Sequence, residues 1–203
     1  VLYRLTGEFR QLNSLTKMEV FPLPRIPELI DKMKGKDRYS TSDIQDAFFT
    51  VEMDEESRPY TAFQTPRGSY EYNVMPQGVK GAASFFASIV SKVFDHLHDK
   101  AFTVYQDDIA NHESASITTH LEMQQEIYDT IGRNNMCLKA SKTFMNYASQ
   151  RILGHILDKR GRRPDPKTVA AITEMKERLE TVAEVRSLMG LATVVREYIP
   201  AMS

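Results

Sequence analysis

The 203-residue chain has almost no cysteine and no excess of charge of either sign. Its single cysteine, Cys137, excludes an internal disulfide and a cysteine-rich zinc site. The formal net charge is −1, so any binding of a polyanion would have to come from local basic patches. No apolar run approaches the roughly 18 residues of a membrane-spanning helix, and the N-terminus has no signal-peptide pattern, so we expect no membrane partner.

What the chain does contain is an ordinary globular composition, with 41% hydrophobic and 26% charged residues. Its length allows one or two domains with a sizeable core. The sequence opens at Val1 without an initiator methionine, which predicts a fragment or a processed piece.

The first half of the sequence predicts an extended stretch, a short helix, several strands and one long helix. Residues 1–24 are expected to be mostly extended. Pro27 and Gly35 bracket a short helix. Strands are expected near 38–44, 47–53, 60–65 and 69–74. A long helix is expected over 81–98, because apolar residues recur there at 3.6-residue spacing. Its core-facing stripe comprises Phe85, Phe86, Ile89, Val90, Val93, Phe94 and Leu97.

The second half predicts two strand pairs and three helices. The strand pairs are expected at about 101–105 with 109–112, and at 142–147 with 151–157. The helices are expected at 116–133, from Pro166, and after a capping box at Thr181. Strands flanked by long helices, with an antiparallel hairpin, indicate an α+β fold. The basic turn Lys159–Arg163 is either a solvated hairpin tip or a phosphate contact.

Three aspartates form the pattern that points most directly to chemistry. Asp107 and Asp108 are adjacent after a strand-like run, and Asp43 lies in another strand-like segment. Adjacent carboxylates repel unless a cation lies between them. Hard divalent ions prefer oxygen ligands, so these side chains predict a two-metal site for phosphoryl chemistry. A carboxylate-metal phosphatase or nuclease remains an alternative at this point.

A glycine-containing loop, Met75–Gly81, precedes the long helix. Its glycines allow a ligand to approach the backbone closely, and amides at a helix start favour an anion. A plain connecting loop would explain the same residues.

Taken together and in order, these segments resemble the reverse transcriptase of retroviruses and of gypsy-type long-terminal-repeat retrotransposons. Six motifs carry the resemblance: Leu23–Leu29, Ser42–Phe49, Val74–Phe86, Tyr105–Asp108, Leu153–Ile156, and the downstream pair Pro164–Lys167 with Arg186–Leu191.

The resemblance implies the roles of individual residues. Asp43, Asp107 and Asp108 would be the catalytic carboxylates that bind Mg²⁺ or Mn²⁺. The nucleotide-binding residues would be Arg4 on the triphosphate, Phe48 as a steric gate against a ribose 2′-hydroxyl, and Gln77 with Gly78. The primer or template contacts would be Tyr105, Gln106, Leu153, Gly154 and His155. Lys142 resembles a lysine of the family, although a solvent-exposed lysine is the alternative.

The resemblance also implies an architecture and an activity. We expect a right-hand polymerase, with an antiparallel palm sheet backed by helices. Residues 1–160 would form fingers and palm, and residues 161–203 the start of the thumb or connection region. The expected reaction is RNA-directed DNA synthesis from deoxynucleoside triphosphates on an RNA/DNA primer–template.

The expected setting is a retrotransposon pol polyprotein. Its ribonuclease H and integrase domains would be partners that lie outside these residues. The expected location is a cytoplasmic virus-like particle, with a nuclear stage.

Some residues depart from the family pattern, notably Gln106, Ala83 and the segments Ala110–His112 and Lys139–Ser141. They keep open a decayed or domesticated reverse-transcriptase fold that binds nucleic acid without polymerising. We also expect residues 1–203 alone to be weakly active or inactive.

Overall fold

The computed structural model describes residues 6–98, 100–175 and 178–199. The helices are α1 Arg10–Leu15, α2 Ile26–Met33, α3 Ala82–Val93, α4 Ile117–Arg133, α5 Pro166–Thr173 and α6 Val182–Val195. The strands are β1 Arg38–Asp43, β2 Phe63–Thr65, β3 Gly68–Tyr70, β4 Phe102–Tyr105, β5 Asp108–Glu113, β6 Phe144–Tyr147, β7 Ser149–Ile152, β8 His155–Asp158 and β9 Gly161–Pro164. Short 3-10 helices cover Ala47–Thr50, Arg58–Thr61, Asp95–Leu97, Ala140–Lys142 and Arg196–Tyr198.

A four-stranded antiparallel sheet forms the centre of the fold, with strand order β4-β5-β1-β6. In the β1–β5 pair, Arg38 lies opposite Glu113 and Asp43 lies opposite Asp108. Residues directly opposite each other in an antiparallel pair share a face, so this register decides which side chains meet.

Helices α3 and α4 contribute to the main core, with residues of the central sheet. The 3.6-residue spacing of α3 and α4 places their apolar stripes toward this core. Its buried members are Ile44, Ala47, Met75, Ala82, Phe86, Val90, Phe94, Leu97, Phe102, Ile109, Ile127, Ile131 and Met136.

A second, smaller core joins α2 to the sheet β7-β8-β9. Tyr39 and Ala110 contribute the central sheet's share of this core, while Ile109, the residue before Ala110, belongs to the main core. The alternation of side chains along a strand explains the division. The other buried members are Ile30, Met33, Ile152 and Leu157.

Several predicted elements differ from the structure. The predicted strand 47–53 is wrong, because Ala47–Thr50 forms a 3-10 helix. Asp46 precedes that helix in a left-handed conformation with φ 49°, and the Thr50 hydroxyl donates back to the Ala47 carbonyl at 2.6 Å. These local bonds hold the backbone in a tight turn in place of an extended strand.

The predicted strand 151–157 is interrupted by a two-residue turn at Leu153 and Gly154, so it contributes to both β7 and β8. Its predicted pairing with 142–147 is also wrong, because β6 pairs with β1. In the N-terminal stretch, predicted as extended, α1 forms a short helix. Phe85 is 53% exposed, so the core stripe of α3 is narrower than predicted.

Within the described ranges, no helix is both long and apolar enough to cross a membrane.

Candidate active site

The register of the central sheet brings the three predicted carboxylates to one edge. Asp43 ends β1 and lies opposite Asp108, the first residue of β5. Asp107 lies in the β4–β5 turn, and its carbonyl accepts a hydrogen bond from the Ile44 N–H at 2.9 Å. Residues far apart in the sequence therefore lie close together at one end of the sheet.

The β4–β5 turn is strained at Gln106. Tyr105 pairs with Asp108, which leaves Gln106 and Asp107 as the two turn residues. Gln106 has φ 55°, a left-handed conformation that glycine adopts readily and other residues adopt at a cost of about 1 kcal/mol. Such strain persists where the surrounding structure fixes the backbone, and here the Asp107–Ile44 hydrogen bond does so.

The negative charges at this edge influence one another. Partial desolvation by the surrounding hairpin raises the pKa of the Asp108 carboxyl, although the residue itself reaches solvent. The charges of Asp107 and Asp43 raise that pKa further, while Lys142 opposes them. These effects agree with the sheet register, which places Asp43 opposite Asp108 and next to the turn that holds Asp107.

Lys142 forms an ion pair with Asp43, with Nζ donating to Oδ2. It ends the 3-10 helix Ala140–Lys142, which is attached to β1 by a hydrogen bond from the Lys139 N–H to the Asp43 carbonyl at 2.9 Å. The bond to Asp43 raises the pKa of Lys142, so its ammonium stays charged. Lys142 therefore contacts a predicted site residue, and 54% of its side chain remains exposed.

The donor chemistry of the cluster fits a divalent cation. Its oxygen atoms come from carboxylates, which hard ions such as Mg²⁺ prefer. In the part of the chain that the structure describes, no three His, Cys, Asp or Glu side chains are already arranged around one point as a metal cage. The Lys142 ammonium instead neutralises Asp43, one of the three carboxylates.

A cavity of about 530 Å³ opens beside the carboxylates. Asp43, Asp108 and Lys142 line it together with the β7–β8 turn residues Leu153 and Gly154. Tyr105, another predicted primer or template contact, also lines this cavity. The central sheet and the small β7-β8-β9 sheet thus share one open site.

The loop with Gln77 and Gly78 is fastened by Asn13 of α1. The Asn13 side chain donates to the Gly78 carbonyl at 2.8 Å and accepts from the Lys80 N–H at 2.7 Å. Gly78 has φ 95°, and a Cβ built on it would lie 3.6 Å from the Phe9 ring. The loop therefore has a defined backbone, although it does not line the carboxylate cavity.

Phe48 lies in the 3-10 helix that follows β1. Its ring packs edge-on against Phe86 of α3, with ring centroids 5.7 Å apart. This contact fixes Phe48 a few residues beyond Asp43. Arg4, the predicted triphosphate contact, lies outside the described residues.

His155 is buried, with 8% exposure, and its Nδ1 forms a 2.6 Å hydrogen bond with the Tyr198 hydroxyl. Tyr105, Leu153 and Gly154 line the carboxylate cavity, whereas His155 and Gln106 do not. Gln106 lines a separate, mostly apolar cavity beside α3.

The basic turn is largely neutralised by neighbouring carboxylates. Its ion pairs include Lys159–Asp37 at 3.0 Å, Arg163–Asp158 at 2.8 Å and Arg162–Glu197 at 2.5 Å. These internal partners favour the hairpin-tip interpretation over phosphate contact.

Comparison with known families gives a direct match. The model of the family described as "Reverse transcriptase (RNA-dependent DNA polymerase)" matches residues 2–157. The chain belongs to the reverse transcriptase family.

Similar sequences occur in polyproteins of transposons and of Cauliflower mosaic virus. The chain is 33% identical over 198 residues to the "Retrovirus-related Pol polyprotein from transposon 297" of Drosophila melanogaster, covering 98% of this chain and 18% of the relative. It is 29% identical to the "Enzymatic polyprotein" of Cauliflower mosaic virus (strain Strasbourg), covering 98% of this chain and 29% of the relative. The chain therefore spans less than a third of the length of these relatives.

Solved structures confirm the fold. The foamy viral protease-reverse transcriptase in complex with double-stranded DNA is similar with a TM-score of 0.90 and 18% identity, covering 98% of this chain and 34% of that chain. The same viral protein in complex with an RNA/DNA hybrid gives a TM-score of 0.83 and 18% identity, covering 93% and 25% respectively. The predicted palm and fingers of a right-hand polymerase are thereby confirmed.

Sequence reasoning missed two residues that hydrogen-bond to predicted site residues or their loop. Asn13 is a polar helix residue whose partners lie 65 and 67 positions away, and Tyr198 lies 43 positions from His155. No local pattern marks such long-range hydrogen bonds.

Proposed function

We propose that the chain is the catalytic core of an RNA-directed DNA polymerase, which adds deoxynucleotides to a primer 3′-end. The observation that carries the proposal is the pairing of Asp43 with Asp108 across β1 and β5, with Asp107 in the adjoining turn. The family match supports polymerisation as the reaction that these carboxylates would serve, in preference to phosphate-ester hydrolysis.

Members of the family generally use divalent metal ions. We propose Mg²⁺, or Mn²⁺ in its place, with Asp43, Asp107 and Asp108 as the protein ligands. When bound, such ions neutralise the triphosphate and lower the pKa of the attacking hydroxyl. Lys142 is proposed to neutralise Asp43 and to keep its carboxylate at the cavity wall.

The proposed nucleotide pocket combines Phe48 with Gln77, Gly78 and Arg4. Support comes from the fixed backbone at Gly78 and from the Phe48–Phe86 contact close to Asp43 in the chain. A phenyl ring at Phe48 would exclude the 2′-hydroxyl of a ribonucleotide. The pocket would therefore select deoxynucleoside triphosphates.

The proposed polymer substrate is an RNA/DNA primer–template, contacted by Tyr105, Gln106, Leu153, Gly154 and His155. Similar solved structures contain double-stranded DNA or an RNA/DNA hybrid, which supports this class of partner. Contacts through backbone and shape would make binding independent of sequence.

The biological setting is likewise proposed from the relatives. We propose a pol polyprotein of a gypsy-type element, with ribonuclease H and integrase domains, acting in a cytoplasmic virus-like particle with a nuclear stage. Residues 1–160 are proposed as fingers and palm, and residues 161–203 as the start of the thumb or connection region. That boundary falls in the β8–β9 turn.

One observation favours a second function, a decayed fold that binds nucleic acid without polymerising. The Lys142 ammonium already uses an Asp43 oxygen that a metal ion would need. In that case the carboxylates would be retained for structure alone.

Primer extension on an RNA template with Mg²⁺ and deoxynucleotides tests the proposal. The wild-type chain within its polyprotein would be compared with Asp107→Asn, which keeps the size of the side chain and removes its charge. Extension lost in the variant supports the polymerase. Binding of primer–template without extension by either protein would support the decayed fold.

A further inference from the structure

The β7–β8 turn at the cavity wall has an unusual backbone. Ile152 pairs with His155 across the turn, which leaves Leu153 and Gly154 as its two central residues. Both have positive φ, 48° and 82° respectively. Glycine adopts such angles freely, whereas leucine does so at a cost of about 1 kcal/mol. The surrounding structure must therefore hold Leu153 in place.

His155, the residue after the turn, makes one of the contacts that fix the turn. Its ring is buried, and its Nδ1 bonds the Tyr198 hydroxyl at 2.6 Å. The two ring centroids are 5.7 Å apart. Burial lowers the pKa of His155 and raises the pKa of Tyr198, so at neutral pH the hydrogen bond joins two uncharged groups.

Tyr198 is itself held by charged neighbours. The Arg162 guanidinium carbon lies 5.9 Å from the centre of the Tyr198 ring, within cation–π range. Arg162 also bonds Glu197, the residue before Tyr198, at 2.5 Å. The 3-10 helix Arg196–Tyr198 is thereby fixed to β9.

The preceding helix α6 reaches the same turn. A Cβ built on Gly154 would lie 3.9 Å from Val194 Cγ1, an ordinary packing distance. The turn thus contacts the C-terminal segment 194–198, while Leu153 and Gly154 also line the cavity that holds Asp43 and Asp108.

We propose that Tyr198 is a positioning residue that, through His155, fixes the Leu153–Gly154 turn and thereby sets the affinity of the cavity for the primer–template. This inference rests on the proposed polymerase function for the identity of the ligand. Tyr198 would act on binding and leave the chemical step unchanged, because its hydroxyl is directed to His155.

Tyr198→Phe tests the inference, because it removes the hydroxyl and keeps the ring over Arg162. We expect the equilibrium dissociation constant for a fluorescent RNA/DNA primer–template, and its KM, to rise about fivefold, the value of one hydrogen bond. The kcat should stay within twofold. Tyr128→Phe is the matched control, because Tyr128 packs on the main core and should leave both quantities unchanged.

A double-mutant cycle with His155→Phe shows whether Tyr198 acts through His155. We expect the double variant to bind primer–template no more weakly than either single variant. Additive losses, or a Tyr198→Phe variant that binds like Tyr128→Phe, would overturn the inference.

The binding measurement separates this inference from the proposed function. If the wild type binds primer–template but does not extend it, the polymerase proposal fails and the binding cycle still decides the role of Tyr198. If the wild type binds no primer–template, both proposals fail.

Discussion

Lys142 compensates the most deeply placed charge of the site. The Asp43 side chain is 12% exposed, and a carboxylate so buried is costly without a partner. The Lys142 side chain remains 54% exposed, so water and salt weaken the ion pair. Lys142 therefore offsets part of the cost of keeping the buried Asp43 carboxylate at this end of the sheet.

Lys142→Met is expected to lower the free energy of unfolding by about 1 kcal/mol at low salt, because Asp43 loses its cation. Urea unfolding at low and high salt measures the effect, which should shrink as the salt concentration rises. Lys139→Met, three positions earlier and contacting Asp43 only through its backbone, is the control. Equal stability of the two variants would contradict the role of the pair.

Gln106→Gly should stabilise the fold by about 0.5 kcal/mol. Relief of the left-handed strain at φ 55° outweighs the extra freedom that glycine gives the unfolded chain. Gln125→Gly, in the middle of α4, should instead destabilise by about 1 kcal/mol. Chemical denaturation measures the change in unfolding free energy of each variant, which should be opposite in sign. A Gln106→Gly variant less stable than the wild type would contradict the proposed strain at Gln106.

At the level of elements, neighbouring residues of one strand or helix have different surroundings. In β5, Ala110 belongs to the smaller core and Ile109 to the main core. In α3, Phe86 is 1% exposed whereas its neighbour Phe85 is 53% exposed. The periods of strand and helix therefore decide the cost of a substitution more than residue type does.

Phe86→Ala should cost about 3–5 kcal/mol of unfolding free energy, because it opens a cavity in the main core. Phe85→Ala should cost less than about 1 kcal/mol, since its ring already contacts solvent. Thermal and urea unfolding of the two variants provide the comparison. Similar losses would show that the face of α3 has been wrongly assigned.

His112 on β5 predicts a loss of stability in acid. Burial lowers its pKa from 6.5 to about 4, and Lys36 and Lys32 add to the shift. Between these values the unfolded chain binds the proton and the folded chain does not, so stability rises with pH through this window and is lost as pH falls through it. Across this window His112 changes the free energy of unfolding by about 3 kcal/mol.

His112→Gln should therefore flatten the dependence of unfolding free energy on pH between about 6.5 and 4. Gln11→Asn, at an exposed side chain that does not titrate, should leave it as steep as in the wild type. Urea unfolding across this range measures both. An unchanged slope in His112→Gln would exclude His112 as a source of the acid sensitivity.

Element types followed from periodicity, and the carboxylate site followed from residue chemistry. Helices α3 and α4 and the β4–β5 hairpin were predicted because their signals are local. The segment 47–53 was wrong because its apolar run does not distinguish a strand from the turn that Asp46 and Thr50 impose. Asn13 and Tyr198 were missed because their partners are distant in sequence.

The molecule as a whole carries almost no net charge, and many of its charged side chains are paired with close neighbours. The net charge is −1, and ion pairs with carboxylates neutralise much of the basic turn. Helix α6 also presents apolar side chains to solvent, with Val182 at 68% and Met189 at 60% exposure. Neither feature gives the chain a strong general attraction for a polyanion.

Residues 1–203 alone are therefore expected to bind primer–template weakly and to add few nucleotides per encounter. Binding should weaken as salt rises, because a small number of phosphate contacts would carry it. Extension in the presence of a competitor duplex, at two salt concentrations, measures both effects. Long products under these conditions would contradict the expectation.

The pairing of β1 with β5 also limits how this sequence can change. Deleting or inserting one residue within Arg38–Asp43 would turn Asp43 toward the helices and away from its place opposite Asp108. A substitution in β1 alters one contact, whereas a change of length would move the carboxylate to the wrong side of the sheet. Relatives that keep the activity are therefore expected to differ in the composition of this strand and to agree in its length.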